Sequence, residues 1–146
     1  MKSKLLYDED GFKTFVIVFE KNDEVREGLL AFASANRLRD AHFTGIGAFS
    51  EVTLGFFDPG QKQYKNIPIK EQVEVLSFTG NILQSDGKPS LHVHVVVGKE
   101  DGTAHGGHFL AGHVWPTLEI TLSELPVDLR RWQDSETGLA LIKLAA

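Results

Sequence analysis

The chain has 146 residues, of which 42% are hydrophobic and 24% are charged, a composition typical of a globular domain with its own core. Its formal net charge of −5 argues against a surface dominated by duplex DNA binding, because such surfaces neutralise phosphates with lysine and arginine. The absence of cysteine excludes disulfide bonds and thiolate metal sites, so any metal ligands must be histidine, carboxylate or water.

The sequence predicts a cytoplasmic protein with no membrane partner. The first ten residues, MKSKLLYDED, lack the apolar stretch of a secretory signal peptide. No apolar run approaches the length of a membrane-spanning helix; Phe15–Phe19, for example, has five residues. We therefore expect a single cytoplasmic domain over residues 1–146.

The first third of the chain predicts one strand followed by one helix. Thr14–Phe19 is a run of β-branched and aromatic residues, which is typical of a strand covered on both faces. Apolar side chains then recur at helical spacing, which predicts the main helix over Asp23–Asn36. Asn22 or Asp23 is the expected N-cap of this helix.

From Ala41 onward the sequence predicts mostly strands. They are expected at 42–49, 51–57, 64–69, 71–83, 117–122 and 139–144. Asp58-Pro59-Gly60 predicts a tight turn, and Ser85–Pro89 predicts a loop. One helix among many short strands indicates an α+β domain, with a largely antiparallel sheet and the helix on one face.

Five of the six histidines lie in one stretch, Ser90–Val114, which predicts a β-hairpin. Apolar residues alternate with His92 and His94, so both imidazoles project from one face of a strand. Asp101-Gly102 supplies the turn. A third imidazole from the returning strand would complete a three-ligand site that suits zinc and leaves a position for water. The alternative is a polar strand face with surface histidines, or a histidine hydrogen-bonded in a trimer core.

The returning strand offers two candidates for the third ligand, His105 and His108, which are three positions apart and so point to opposite faces. A turn centred on Asp101 sets His94 opposite His108. A one-residue shift of the turn would exchange the two candidates. With the turn centred on Asp101, the predicted ligands of a divalent metal ion, with zinc as the first choice, are His92, His94 and His108. His105 and His113 are expected to be dispensable.

Five segments in order resemble a known family: GIGAFSEVTLGFFD, VEVLSFTGNI, HVHVVVGKEDG, GGHFLAGHV and TLEITL. They resemble the plant and prokaryote conserved domain, or PPC domain, over nearly the whole chain. The resemblance implies an α+β subunit with a mixed, mainly antiparallel sheet and one principal helix, assembled as a homotrimer. It also implies a stand-alone member of the prokaryotic type, which acts in DNA binding or as a regulatory and interaction protein.

The same resemblance weighs against strong DNA binding by this chain. In plants the PPC domain stands beside AT-hook motifs, whereas this sequence has no Arg-Gly-Arg core with a basic flank. Two short basic segments remain, Arg37 with Arg39 and Arg130-Arg131-Trp132, and each is typical of a solvated surface. We therefore expect duplex DNA to bind weakly or not at all at physiological salt.

The H-x-H and GGH spacing is also similar to the zinc site of acetolactate decarboxylase. Carried over residue by residue, this similarity implies that His92, His94 and His108 match the three metal ligands. The remaining catalytic carboxylate and arginine of that enzyme have no assignable counterpart, although Glu51 and Glu119 are candidate acids. The similarity leaves an alternative function, a zinc-dependent lyase or hydrolase that binds a small molecule at the same site.

Overall fold

The computed structural model describes residues 1–142 and 144, and these residues form nine strands and one helix. They are β1 (Lys2–Glu9), β2 (Phe12–Glu20), α1 (Val25–Asn36), β3 (Asp40–Asp58), β4 (Gln63–Ile69), β5 (Val73–Ser85), β6 (Lys88–Gly98), β7 (Ala104–Glu124), β8 (Arg131–Gln133) and β9 (Ala140–Ile142). The helix begins two residues later than predicted and ends where predicted. Residue 143, within the predicted last strand, lies outside the described residues.

The main sheet has seven strands in the order β1-β2-β7-β6-β5-β3-β4. The strands β3 and β7, with 19 and 21 residues, are long enough to pair with different neighbours along their lengths. They also pair with each other, so that β7, β6, β5 and β3 form a closed ring. All ladders in the described part of the chain are antiparallel, and an isolated bridge between Gln84 and Arg130 is parallel. The predicted α+β class with a mainly antiparallel sheet is confirmed.

Two Asp-Gly pairs close tight hairpins that the sequence analysis did not predict. Asp86 and Gly87 both have positive φ, 50° and 75°, so the expected loop at Ser85–Pro89 is a two-residue turn between β5 and β6. Asp10 and Gly11, with φ of 51° and 81°, join β1 to β2 in the same way. These residues tolerate left-handed backbone because glycine lacks a Cβ and aspartate is small and polar.

The core lies between the inner face of the sheet and α1. Phe15, Ile17 and Phe19 of β2 point inward and are buried, and the Phe15 ring meets the edge of Phe32 from the helix at 5.2 Å between centroids. The alternate residues Val16 and Val18 are only half-buried. In the single subunit this strand is therefore fully covered only on its inner face, whereas the prediction had both faces covered.

The helix N-terminus differs from the prediction in its cap. The N-cap is Glu24, whose carboxylate accepts a hydrogen bond of 2.7 Å from the backbone N–H of Glu27. Asp23 instead accepts a hydrogen bond from the backbone N–H of Glu20 at 2.8 Å and closes the preceding turn.

No helix among the described residues is long and apolar enough to cross a membrane.

Candidate metal centre

The turn between β6 and β7 fixes the register of the histidine hairpin. Asp101 accepts hydrogen bonds from the backbone N–H and the hydroxyl of Thr103, at 2.9 and 2.6 Å. The N–H of Lys99 donates to the carbonyl of Thr103 at 2.9 Å, which closes the hairpin around these two contacts. His94 then pairs with His108, as the turn centred on Asp101 predicted.

The three predicted ligands lie together on the face of the hairpin that points away from the core. One nitrogen from each of His92, His94 and His108 lies within 4.8 Å of the other two. The ring centroids are separated by 5.2 Å, 5.3 Å and 5.6 Å. This is the only group of three or more histidine, cysteine or acidic side chains close enough to hold a metal ion among residues 1–142 and 144.

The other hairpin histidines and the candidate acids lie elsewhere. His105 is the cross-strand partner of Val97, on the face opposite to His92 and His94. Its Nε2 lies 3.5 Å from the Thr103 hydroxyl. His113 faces Glu51, with 3.3 Å between its Nδ1 and the carboxylate. Glu119 is exposed on the outer face of the sheet. Neither candidate acid therefore joins the three-histidine cluster.

The chemistry of the cluster is suited to a divalent metal ion. The Nδ1 atom of His108 is buried and has no hydrogen-bond partner among the described residues. Leaving a buried polar atom without a partner is costly, and coordination is one way to satisfy an imidazole nitrogen. Neutral imidazole is a preferred ligand of zinc, and three imidazoles leave one position of a tetrahedral site open. The residues present therefore fit a metal ion.

Burial keeps two of these imidazoles neutral. The pKa of His108 is lowered from 6.5 to about 4, first by burial and then by electrostatic repulsion from His92, His94, Arg26 and Arg131, in that order. The pKa of His92 is lowered chiefly by burial and then by Arg131 and His94. Metal ions compete with protons for imidazole, so a depressed pKa keeps the ligand available well below pH 7.

The depressed pKa of His108 makes the stability of the metal-free protein dependent on pH. Between the unfolded value of 6.5 and about 4, the unfolded chain binds a proton that the folded chain does not. The free energy of unfolding should therefore fall as the pH drops through this window. Urea unfolding in the presence of a chelator measures the slope. His108→Gln should reduce that slope, while His105→Gln should preserve it; equal slopes in both variants would contradict the assignment.

An aromatic contact orients the His108 imidazole. Its ring stacks on Tyr64 of β4, with 4.5 Å between centroids and 21° between planes. Gly55 of β3 lies directly opposite His108, and a Cβ there would lie 2.9 Å from the Tyr64 ring. The glycine thus leaves room for Tyr64 to reach across β3. Sequence reasoning did not assign Tyr64 to the site, because this contact depends on two separate strand pairings.

Arg131 connects the C-terminal segment to the region of the histidines. It is buried, and its guanidinium donates to the side-chain oxygen of Asn81 and, at 3.1 Å, to the carbonyl of Ala140. Asn81 is the cross-strand partner of His92. After burial, the positive charge of Arg131 contributes to the lowered pKa of His92 and, to a smaller extent, to that of His108.

The sequence profile of the Plants and Prokaryotes Conserved (PCC) domain, the domain called PPC above, matches residues 7–126. The chain belongs to the PPC family. The match contains the three-histidine cluster, Tyr64 and the closed ring of strands, whereas β8 and β9 lie beyond it. No curated protein was found to match the chain.

Solved structures of PPC-like proteins share this fold over almost the whole chain. A putative DNA-binding protein from Ralstonia eutropha JMP134 has 34% identity and a TM-score of 0.84, covering 90% of this chain and 91% of its own. A PPC protein from Pyrococcus horikoshii has 29% identity and a TM-score of 0.86, with coverage of 99% and 96%. A metal-containing protein from Archaeoglobus fulgidus has 28% identity and a TM-score of 0.84, with coverage of 99% and 100%.

The more distant resemblance to acetolactate decarboxylase is confirmed at the level of the fold. The enzyme from Bacillus subtilis strain 168 has 14% identity and a TM-score of 0.58. The match covers 86% of this PPC chain and 58% of the enzyme. At this identity the likeness establishes shared architecture, and activity must be argued from the residues of the site.

Proposed function

We propose that this PPC protein is a single-domain, homotrimeric regulatory or interaction protein of the cytoplasm that binds one zinc ion per subunit. His92, His94 and His108 would be the ligands. The observation that supports the proposal is the approach of three imidazole nitrogens to within 4.8 Å on adjacent strands whose register is set by the turn at Asp101. The metal-containing protein from Archaeoglobus fulgidus has the same fold over the whole chain.

Metal analysis of the purified protein tests this proposal directly. We expect one equivalent of zinc per subunit after dialysis, and calorimetric titration of the chelator-treated protein should regain the same stoichiometry. Titrations with manganese, cobalt and nickel under the same conditions would rank the alternatives. Substoichiometric binding of every metal would contradict the proposed site.

Exposed apolar residues on the outer face of the sheet support self-association. Ile46 and Leu76 are 64% and 55% exposed and line one surface depression, beside the half-buried Val16. Apolar side chains grouped on a surface commonly mark protein interfaces. We propose that this face forms the contact between subunits of the homotrimer.

Leu76→Lys should dissociate the homotrimer, because each interface would then bury an unpaired ammonium group. Sedimentation velocity at micromolar concentration should show a trimer for the natural sequence and a monomer for the variant. Gln61→Lys adds the same charge in an exposed loop and should remain trimeric. A variant trimer, or a natural monomer, would contradict the proposed interface.

Duplex DNA is a weaker candidate partner. The protein from Ralstonia eutropha is described as a putative DNA-binding protein, but the net charge of this chain is −5 and its 146 residues contain no AT-hook motif. Fluorescence anisotropy with labelled duplex should therefore show weak or no binding at physiological salt. Salt-dependent, sequence-specific binding at nanomolar concentration would assign the protein to DNA recognition instead.

A metal-dependent enzyme is the second candidate, favoured by the exposure of His94, which opens one side of the cluster to solvent. A zinc ion held there would act as a Lewis acid toward a small molecule in the open position. The cluster contributes no negative charge, and Arg26 and Arg131 place positive charge nearby, so an anionic small molecule is the favoured ligand. Zinc-dependent turnover of a carboxylate substrate, lost in His94→Ala, would favour the enzyme.

A further inference from the structure

A second candidate binding site lies at the opposite end of strand β6 from the turn of the histidine hairpin. It is a cleft of about 710 Å³ between the end of α1, the β5–β6 turn and the segment leading into β8. Ligand sites for small molecules have volumes of roughly 300–1,000 Å³. None of the three clustered histidines lines this cleft, so it is distinct from the metal centre.

The cleft brings together the two basic segments that the sequence separates by most of the chain. Its basic lining residues are Arg37, Arg39, Lys88, Arg130 and Arg131. Its acidic lining residues are Asp86 and Asp128. The formal charge of the lining residues is therefore positive, whereas the net charge of the whole chain is −5.

The contacts of these side chains show which basic groups already have a partner in the protein and which make no ion pair. Arg130 binds Asp128 through two nitrogens, at 3.2 and 2.6 Å, and Arg131 is held by its hydrogen bonds within the protein. Arg37, Arg39 and Lys88 make no ion pair with any described residue. Guanidinium groups bind phosphate through paired hydrogen bonds, and a lysine adds a point charge.

The same cleft also has an aromatic wall. Trp132 lines it and is 58% exposed, so solvent reaches more than half of this side chain. Indole rings stack on nucleobases without regard to base identity. Phosphate-binding cations and an exposed indole around one cavity of this size together match the chemistry of a nucleotide.

We propose that this cleft binds a nucleotide, with its phosphates on Arg37, Arg39 and Lys88 and its base stacked on Trp132. None of the residues proposed to bind the nucleotide is one of the three clustered histidines, so the proposal does not rest on the function proposed above. The sequence has two tryptophans, so Trp115→Phe leaves Trp132 as the only indole. Titration of that variant with ADP, in the presence of a chelator, should quench its fluorescence saturably with a Kd of about 100 μM.

Calorimetry on the chain with both tryptophans provides the matched comparisons. Arg37→Ala and Arg39→Ala should each weaken ADP binding about tenfold, the effect of losing one charge-assisted hydrogen bond. Trp132→Leu should weaken ADP binding and leave pyrophosphate binding unchanged, because pyrophosphate has no base to stack. Lys65→Ala removes an exposed positive charge outside the cleft and should bind ADP normally.

Several results would overturn the proposal. One is that ADP does not bind at about 1 mM, and another is that neither arginine substitution changes the ADP affinity. A third is that Trp132→Leu loses ADP binding and pyrophosphate binding equally. A fourth is that ADP binding disappears when chelator is added or in His94→Ala. The last result would place the nucleotide at the metal centre. Preference for duplex DNA with the same arginine dependence would also overturn it, since the cleft would then belong to a nucleic-acid surface.

Discussion

Replacement of His108 by alanine is expected to abolish stoichiometric zinc binding, with a loss of affinity greater than about a hundredfold. The reason is geometric, because His108 contributes one of the three nitrogens that approach within 4.8 Å and is the only one from β7. Removing it leaves two imidazoles from one strand, which cannot by themselves hold a tetrahedral ion in a protein site. Calorimetric titration of the chelator-treated variant measures the loss.

Two neighbouring histidines serve as matched controls. His105→Ala removes an exposed imidazole three positions away on the same strand, and His113→Ala removes one that faces Glu51. Both variants should bind one zinc ion per subunit with nearly unchanged affinity. Loss of zinc from the His105 variant with retention by the His108 variant would mean that the hairpin register is shifted by one residue in solution.

The register of this hairpin was predictable from sequence because local chemistry sets it. Asp101 and Gly102 specify the turn, and the period of two along each strand then determines which imidazoles share a face. His94 lies opposite His108 because the turn is centred on Asp101, and the GGH resemblance favoured the same pairing over the one that includes His105. The grouping of these three imidazoles on one face was therefore accessible without any knowledge of distant contacts.

The surroundings of the cluster depend on contacts between residues far apart in the chain, and these were not predictable. Tyr64 reaches His108 only because β3 pairs with both β4 and β7 and has Gly55 at the crossing point. Arg131 lies near His92 through Asn81, fifty residues earlier in the chain. Nothing in the local sequence around Tyr64 or Arg131 indicates which distant residues its side chain contacts.

Strand β1 was missed for a different physical reason. All eight residues from Lys2 to Glu9 are exposed in the single subunit, so burial imposes no alternation on their side chains. The strands predicted at 42–49 and 51–57 proved to be one strand, β3, whose register shifts near Gly45 and Phe49 interrupt its inward and outward pattern. Periodicity detects a strand only where one face is consistently buried.

Replacement of Phe109 by alanine should have the largest effect on stability, a loss of about 3–5 kcal/mol in the free energy of unfolding. Phe109 is fully buried next to His108, on the opposite face of β7. Its ring meets the edge of Phe78 at 5.0 Å and stacks on Phe49 at 5.8 Å. The substitution removes the ring's transfer free energy and both aromatic contacts, and it leaves a cavity that strands on several sides prevent from closing.

Urea unfolding at a fixed subunit concentration in the presence of a chelator measures this loss without contributions from metal binding or a changed association equilibrium. Phe56→Ala is the matched control, because Phe56 is 65% exposed on β3 and should change the unfolding free energy by less than about 1 kcal/mol. Equal losses in the two variants would mean that Phe109 is not at the centre of the core. Because β7 holds Phe109 on one face and His108 on the other, the Phe109 variant should also bind zinc more weakly while it remains folded.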